Sequence, residues 1–145
     1  MPHWVTEGVE EYCKRLPPPY SLQFHELPLP KRTANSDIPR LIAQEGASLL
    51  KAIPDQAIVI ALDEHGELWS TSELSKNIER MAGRGKPIYL LIGGPDGLAP
   101  ECLARAEKTW SLSALTLPHP IVRVVVAEAI YRAWSFLHNH PYHRA

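Results

Sequence analysis

The chain has 145 residues, 45% hydrophobic and 21% charged, a balance that suits one folded domain with one core and excludes a disordered segment. A formal net charge of −1 excludes the strongly basic surface many nucleic-acid binders use, so any RNA contact has to come from local patches, paired subunits or a pre-shaped target. No apolar run reaches membrane-spanning length, Met1 to Glu7 shows no secretory signal, and the only cysteines, Cys13 and Cys102, lie far apart, which reads as a reduced, cytoplasmic protein.

Trp4, Val5, Val9, Tyr12, Cys13 and Leu16 recur at helical steps and predict a first helix, which Pro17-Pro18-Pro19 ends. Ser21 to Leu27 is expected to be a strand and Pro28 to Asn35 a loop. Asp37 then caps a helix that carries Pro39 in its first turn and runs to about Ala52. The continuous apolar run Ala57 to Leu62 predicts a buried strand, closed by a turn at Asp63-Glu64-His65-Gly66. Ser70 or Thr71, with Glu73 in the first turn, caps a helix to Met81, and Pro87 to Ile92 is a second buried strand. A helix follows Gly93-Gly94-Pro95-Asp96-Gly97 to about Lys108, and Trp110 to Leu117 is a third apolar segment. The last helix, Ile121 to Leu137, is apolar on nearly every side, which in so small a domain points to a subunit interface. Strands alternating with helices give an α/β fold with a largely parallel sheet flanked by helices, in a single domain spanning 1–145.

Ligands of open α/β sheets sit at the carboxyl ends of strands, and three such ends stand out. Leu62-Asp63 closes the first. Gly93 to Gly97 closes the second, where glycines permit close backbone approach to a ligand or simply a tight turn. That segment lacks the Gly-Lys-Ser/Thr of a phosphate loop and the GxGxxG of a dinucleotide fold. Ser111 to Pro120 closes the third, either as an apolar slot with backbone donors fit for a purine ring or as a plain buried strand. The tail His138-Asn139-His140-Pro141-Tyr142-His143-Arg144 gathers titratable and aromatic groups, read as a proton-handling and base-stacking unit, a frayed terminus, or a weak three-histidine metal set. Lys31-Arg32 with Arg40, and Arg80 with Arg84 and Lys86, are basic clusters that count as RNA contacts only if they fall on the tail's side of the fold.

Leu90-Leu91-Ile92-Gly93-Gly94-Pro95-Asp96-Gly97-Leu98, Trp110 to His119, the set Arg123, Glu128, Tyr131, Arg132 and Ala133, and Asn139 to Arg144 together resemble the RlmH family of SPOUT methyltransferases. Trp4, Gly8, Glu11, Tyr12 and Arg15 fit the first helix of that family, so the resemblance spans the chain. It implies a SPOUT fold with a C-terminal trefoil knot, an exception to the usual rule against knots, and a homodimer built on the last helix. It implies S-adenosylmethionine held by Leu62, Gly93 and the run Leu112, Ser113, Ala114, Leu115, Thr116 and Leu117, with no metal. The implied reaction is methylation of N3 of a pseudouridine in helix 69 of 23S rRNA on assembled ribosomes. Tyr142, His143 and Arg144 are the expected catalytic residues: Tyr142 orients the base, His143 accepts the proton, and Arg144 stabilises the developing anion or holds phosphate, with Asp63 and Glu128 as fallback bases. Members of the family usually begin with a β-strand and a glycine-containing turn, whereas Met1 here stands at the start of the Trp4 helix. Two other functions compete: a non-catalytic ribosome- or RNA-binding module on the same fold, and a nucleotide-binding enzyme that uses Gly93 to Gly97 for phosphate.

Overall fold

The apolar run after Ala57 becomes the middle strand of the sheet in the computed structural model, which describes residues 1–144. Strand β1 (Ile58–Leu68) lies between β2 (Ile88–Ile92) and β3 (Lys108–Ser111), all parallel. Ile58, Val59, Ile60 and Ala61 are at most 2% exposed, which explains why every side chain in this stretch is apolar: both faces of the strand are covered. Because strand side chains alternate, Ile58, Ile60 and Leu62 join one core cluster and Val59 joins another. The first cluster packs α3 (Thr71–Ala82) and α5 (His119–Leu137) through Leu74, Met81, Val126 and Ala133. The second packs α2 (Ile38–Lys51) and α4 (Pro100–Arg105) through Ile42, Leu49, Ala99 and Cys102, together with Ile53 beyond the end of α2. The result is a parallel sheet flanked by helices on both faces. Helix α1 (His3–Cys13) lies against α5, with Gly8 facing Val124, and a 3₁₀ turn (Pro141–Arg144) follows α5.

The helix starts follow local chemistry. Ser70 and Glu73 form a reciprocal capping box on α3, and the Asp37 carboxylate accepts from the Arg40 amide, with Pro39 in the first turn of α2. Ser75, fully buried, donates its hydroxyl to the Thr71 and Ala133 carbonyls and so ties α3 to α5.

Four expectations are corrected. Residues 21–27 form no strand: Leu22, Phe24 and Leu27 do not alternate strictly, and Phe24 turns onto the core. An apolar groove of about 900 Å³ is lined both by residues 19–29 and by β2, so this segment stands off from the sheet edge it would have to pair with. The predicted turn at Asp63 to Gly66 is part of β1, which shifts register there: Leu62 and Glu67 both pair with Trp110. Gly66 permits this, since a Cβ there would stand 2.6 Å from the Thr109 carbonyl oxygen. The helix after the glycine loop ends at Arg105, because Lys108 has already entered β3. Strand β3 is Lys108–Ser111, so only Trp110 and Ser111 of the third apolar segment pair as a strand, and 112–118 is a loop.

Candidate functional site

Parallel pairing sets Leu62 beside two loops. Leu62 pairs with Ile92 on one side and with Trp110 on the other, so Gly93 and the residues after Ser111 leave the sheet close to the level at which β1 shifts register; Leu62-Asp63 does not close the first strand, which runs on to Leu68. Leu62, 9% exposed, belongs to the core cluster at this level.

The Gly93–Gly97 loop is tightly wound. The Gly97 amide donates to the Gly94 carbonyl at 3.1 Å, and Gly97 adopts φ +88°, a left-handed conformation that favours glycine. A Cβ on Gly93 would meet the Gly97 carbonyl carbon at 2.6 Å, so no side chain fits there without moving the loop. Across the edge, the Ser113 hydroxyl accepts from the Leu115 amide at 3.0 Å, and the Ser111 hydroxyl donates to the Ser113 carbonyl at 2.9 Å. Leu112, Ser113 and Leu117 are half-buried, Ala114 and Thr116 are exposed, and Leu115 is 73% exposed. Thr116 donates to Glu64 at 3.4 Å, which links this loop to the register shift of β1. Thus Leu62, Gly93 and Leu112 to Leu117 share one end of the sheet. The 900 Å³ groove reaches Gly93, Gly94 and Gly97 from the β2 side, but Leu62 and Leu112 to Leu117 do not line it.

The tail forms a second centre, on α1 and α5. The Tyr142 hydroxyl donates to Glu128 at 3.2 Å, and Glu128 also accepts from Arg132 Nε at 2.7 Å. The Arg132 guanidinium lies 5.0 Å from the centre of the Tyr142 ring. Tyr131 packs on Tyr142 at 4.6 Å, and Arg15 stands within 6.0 Å of the rings of Tyr12, Tyr131 and Tyr142. Burial, a hydrogen bond with Tyr12 and the Glu128 charge raise the Tyr142 phenol above its ordinary range, so it stays protonated. His143 presents Nδ1 to the His140 carbonyl at 2.5 Å, and its ring packs on Phe136. A carbonyl only accepts, so Nδ1 carries the hydrogen and Nε2 is the basic nitrogen. Arg144 is exposed.

The histidines of the tail do not converge: His138 Nδ1 faces the Trp134 carbonyl, and among the described residues no group of three His, Cys, Asp or Glu side chains is placed to hold a metal ion. Nor is any helix of the described residues long and apolar enough to cross a membrane. In each of the two predicted basic clusters one arginine is engaged in an internal ion pair. Arg84 makes a two-pronged pair with Glu107, and Arg32 pairs with Glu45 and Asp96. Glu45 was missed as a site residue. It stands three residues after Ile42 and four before Leu49, so an acid on the apolar stripe of α2 was the signal.

A parallel sheet with a glycine loop and a small-and-apolar loop at one strand end, followed by an apolar helix and a polar tail, defines a SPOUT methyltransferase. The family model described as "Predicted SPOUT methyltransferase" matches residues 1–143, and the chain belongs to this family of enzymes. More particularly, it is 55% identical over 144 residues to "Ribosomal RNA large subunit methyltransferase H" of Marinomonas sp. (strain MWYL1), a match that covers 99% of this chain and 93% of the relative. Proteins of the same name from Methylococcus capsulatus and Pseudomonas aeruginosa (strain UCBPP-PA14) are 51% and 50% identical over the same shares.

Proposed function

We propose that this chain is an S-adenosylmethionine-dependent rRNA methyltransferase that acts on N3 of a pseudouridine in helix 69 of 23S rRNA, on assembled ribosomes and as a homodimer. One observation carries the cofactor reading: the single register row Leu62, Ile92 and Trp110, at which β2 gives way to the glycine loop, β3 nears its end at Ser111 and β1 shifts register. The residues fit the cofactor. Apolar side chains at Leu112, Leu115 and Leu117 and the close-set backbone of Gly93 to Gly97 offer the apolar slot and the polar groups that an adenine ring takes. When bound, S-adenosylmethionine supplies an electrophilic methyl group.

What the chain's own residues have to do is align the base nitrogen and take its proton. Tyr142, held protonated, suits orienting the base as a donor or a stacking ring and not acting as base. His143 Nε2 suits the N3 proton, and exposed Arg144 suits the developing negative charge or a backbone phosphate. Glu128 is engaged by Arg132 and Tyr142, which leaves Asp63, beside Leu62, as the freer fallback carboxylate. The relatives' printed names support rRNA as the substrate. Trp4, Ile121 and Phe136, 52%, 37% and 40% exposed on α1 and α5, support a homodimer through these helices. A trefoil knot and a further strand on the outer edge of β2, along the 900 Å³ groove, belong to the same reading.

The test is methyl transfer from labelled S-adenosylmethionine to ribosomes that lack the modification. Label confined to the helix 69 fragment supports the proposal. Ribosome binding without transfer would contradict it and leave a binding module.

A further inference from the structure

Burying a carboxylate is costly unless it is paired and hydrogen-bonded. Glu45 is 7% exposed, on the middle of α2. Its partner is Arg32, from the irregular segment before α2: Nη2 donates to Oε1 at 3.1 Å, and Nη1 lies in ion-pair contact with Oε2 at 2.8 Å without a hydrogen bond to it. The remaining donor of the guanidinium, Nε, reaches the Asp96 carboxylate in the glycine loop at 2.6 Å. Both carboxylates, Glu45 first, hold the Arg32 guanidinium firmly charged.

The same turn of α2 bears on both ends of that loop. A Cβ on Gly94 would stand 3.1 Å from Glu45 Oε1, and a Cβ on Gly46 would stand 2.6 Å from the Ala99 side chain. The bridge between Gly94 and Gly97 closes the loop internally. Folding alone gives Arg32 a reason to meet buried Glu45. It gives no reason to extend the fork to Asp96, whose side chain is 34% exposed at the loop tip. That third bond acts on the loop's shape.

We infer that Arg32, Glu45 and Asp96 form a clamp that holds the Gly93–Gly97 loop in its cofactor-binding shape, so that Arg32 and Asp96 are positioning residues for S-adenosylmethionine. This rests on the cofactor reading of the loop given above. Both side chains are engaged with each other and with Glu45, so the clamp's role is to shape the loop, and losing it weakens cofactor binding and leaves the chemical step alone.

The experiment compares the unaltered chain with Asp96→Asn, Arg32→Gln, the double variant and Arg32→Lys, by calorimetry with S-adenosylmethionine and by steady-state methyl transfer. The expected result is a rise in Kd and KM of about tenfold in each single variant with kcat held within about twofold. Because the two side chains act as one unit, the double variant is expected to be no worse than the weaker single variant. Arg32→Lys keeps the charge but loses the fork, and recovers only part of the affinity. An unchanged Kd in Asp96→Asn overturns the clamp, and so does a double variant whose losses multiply. Should Arg32→Gln fail to fold, Asp96→Asn alone decides. If the unaltered chain does not bind S-adenosylmethionine, the cofactor reading itself falls, and the clamp with it.

Discussion

The loop at Gly93–Gly97 and the turn at Pro141–Arg144, the two parts of the proposed site, are held by different means. The loop follows β2, closes on itself through Gly94 and Gly97, and meets the ion pair of buried Glu45. The turn is fixed by ring contacts, one carboxylate and the cap of a histidine, on the outside of α1 and α5. A site that binds the same small molecule in every cycle gains from being preorganised, and a sheet edge provides that at no cost at the moment of binding. A site that meets a large RNA gains from side chains that reach outward, and an exposed Arg144 beside half-buried Tyr142 and His143 provides that.

Substitutions separate the two centres. Gly93→Val has the largest expected effect: its side chain would collide with the Gly97 backbone, and cofactor affinity falls by at least about 100-fold in calorimetry while the circular dichroism spectrum keeps its shape. Arg144→Ala or Tyr142→Phe is expected to lower turnover by about 100-fold with cofactor Kd within about twofold. Parallel loss of binding in both would erase the division between loop and tail. Next comes the Tyr142 phenol, whose folded value lies above the ordinary 10. A raised value favours the protonated form in the folded state, so the stability it contributes is complete below pH 10 and is lost as pH rises through the folded value. Absorbance titration should show one tyrosine ionising later than the rest, and Tyr142→Phe should remove that late phase. The smallest effect is expected of Arg84→Gln. It breaks an exposed pair with Glu107 and should change neither cofactor affinity nor turnover, as the same assays will register.

The middle strand was readable because a continuous apolar run such as Ile58 to Leu62 occurs where both faces of a strand are covered, whereas Ile88 to Ile92, expected to be buried as well, lies at the sheet edge with Ile88 exposed and only Leu91 buried. The start of α3 was readable because its capping box is local in sequence. Pairing is not local. Nothing within 21–27 tells whether a sheet edge lies in reach, and nothing within Asp63 to Gly66 tells that the chain continues beside β3 and not into a turn. The candidate site divides in the same way. Gly93 and the run from Leu112 were singled out as residues that follow strands, and both do follow β2 and β3, whereas Leu62 was read as ending a strand that runs on to Leu68. The partners of Arg32 were hidden, because Glu45 lies 13 residues away and Asp96 lies 64 residues away along the chain.

The most direct measurement is calorimetric titration of the 145-residue chain with S-adenosylmethionine, beside Gly93→Val. Saturable binding by the unaltered chain that disappears in the variant is the predicted result. Absence of binding by the folded, unaltered chain, or equal binding by the variant, would contradict the placement of the cofactor beside Leu62, Gly93 and the run from Leu112.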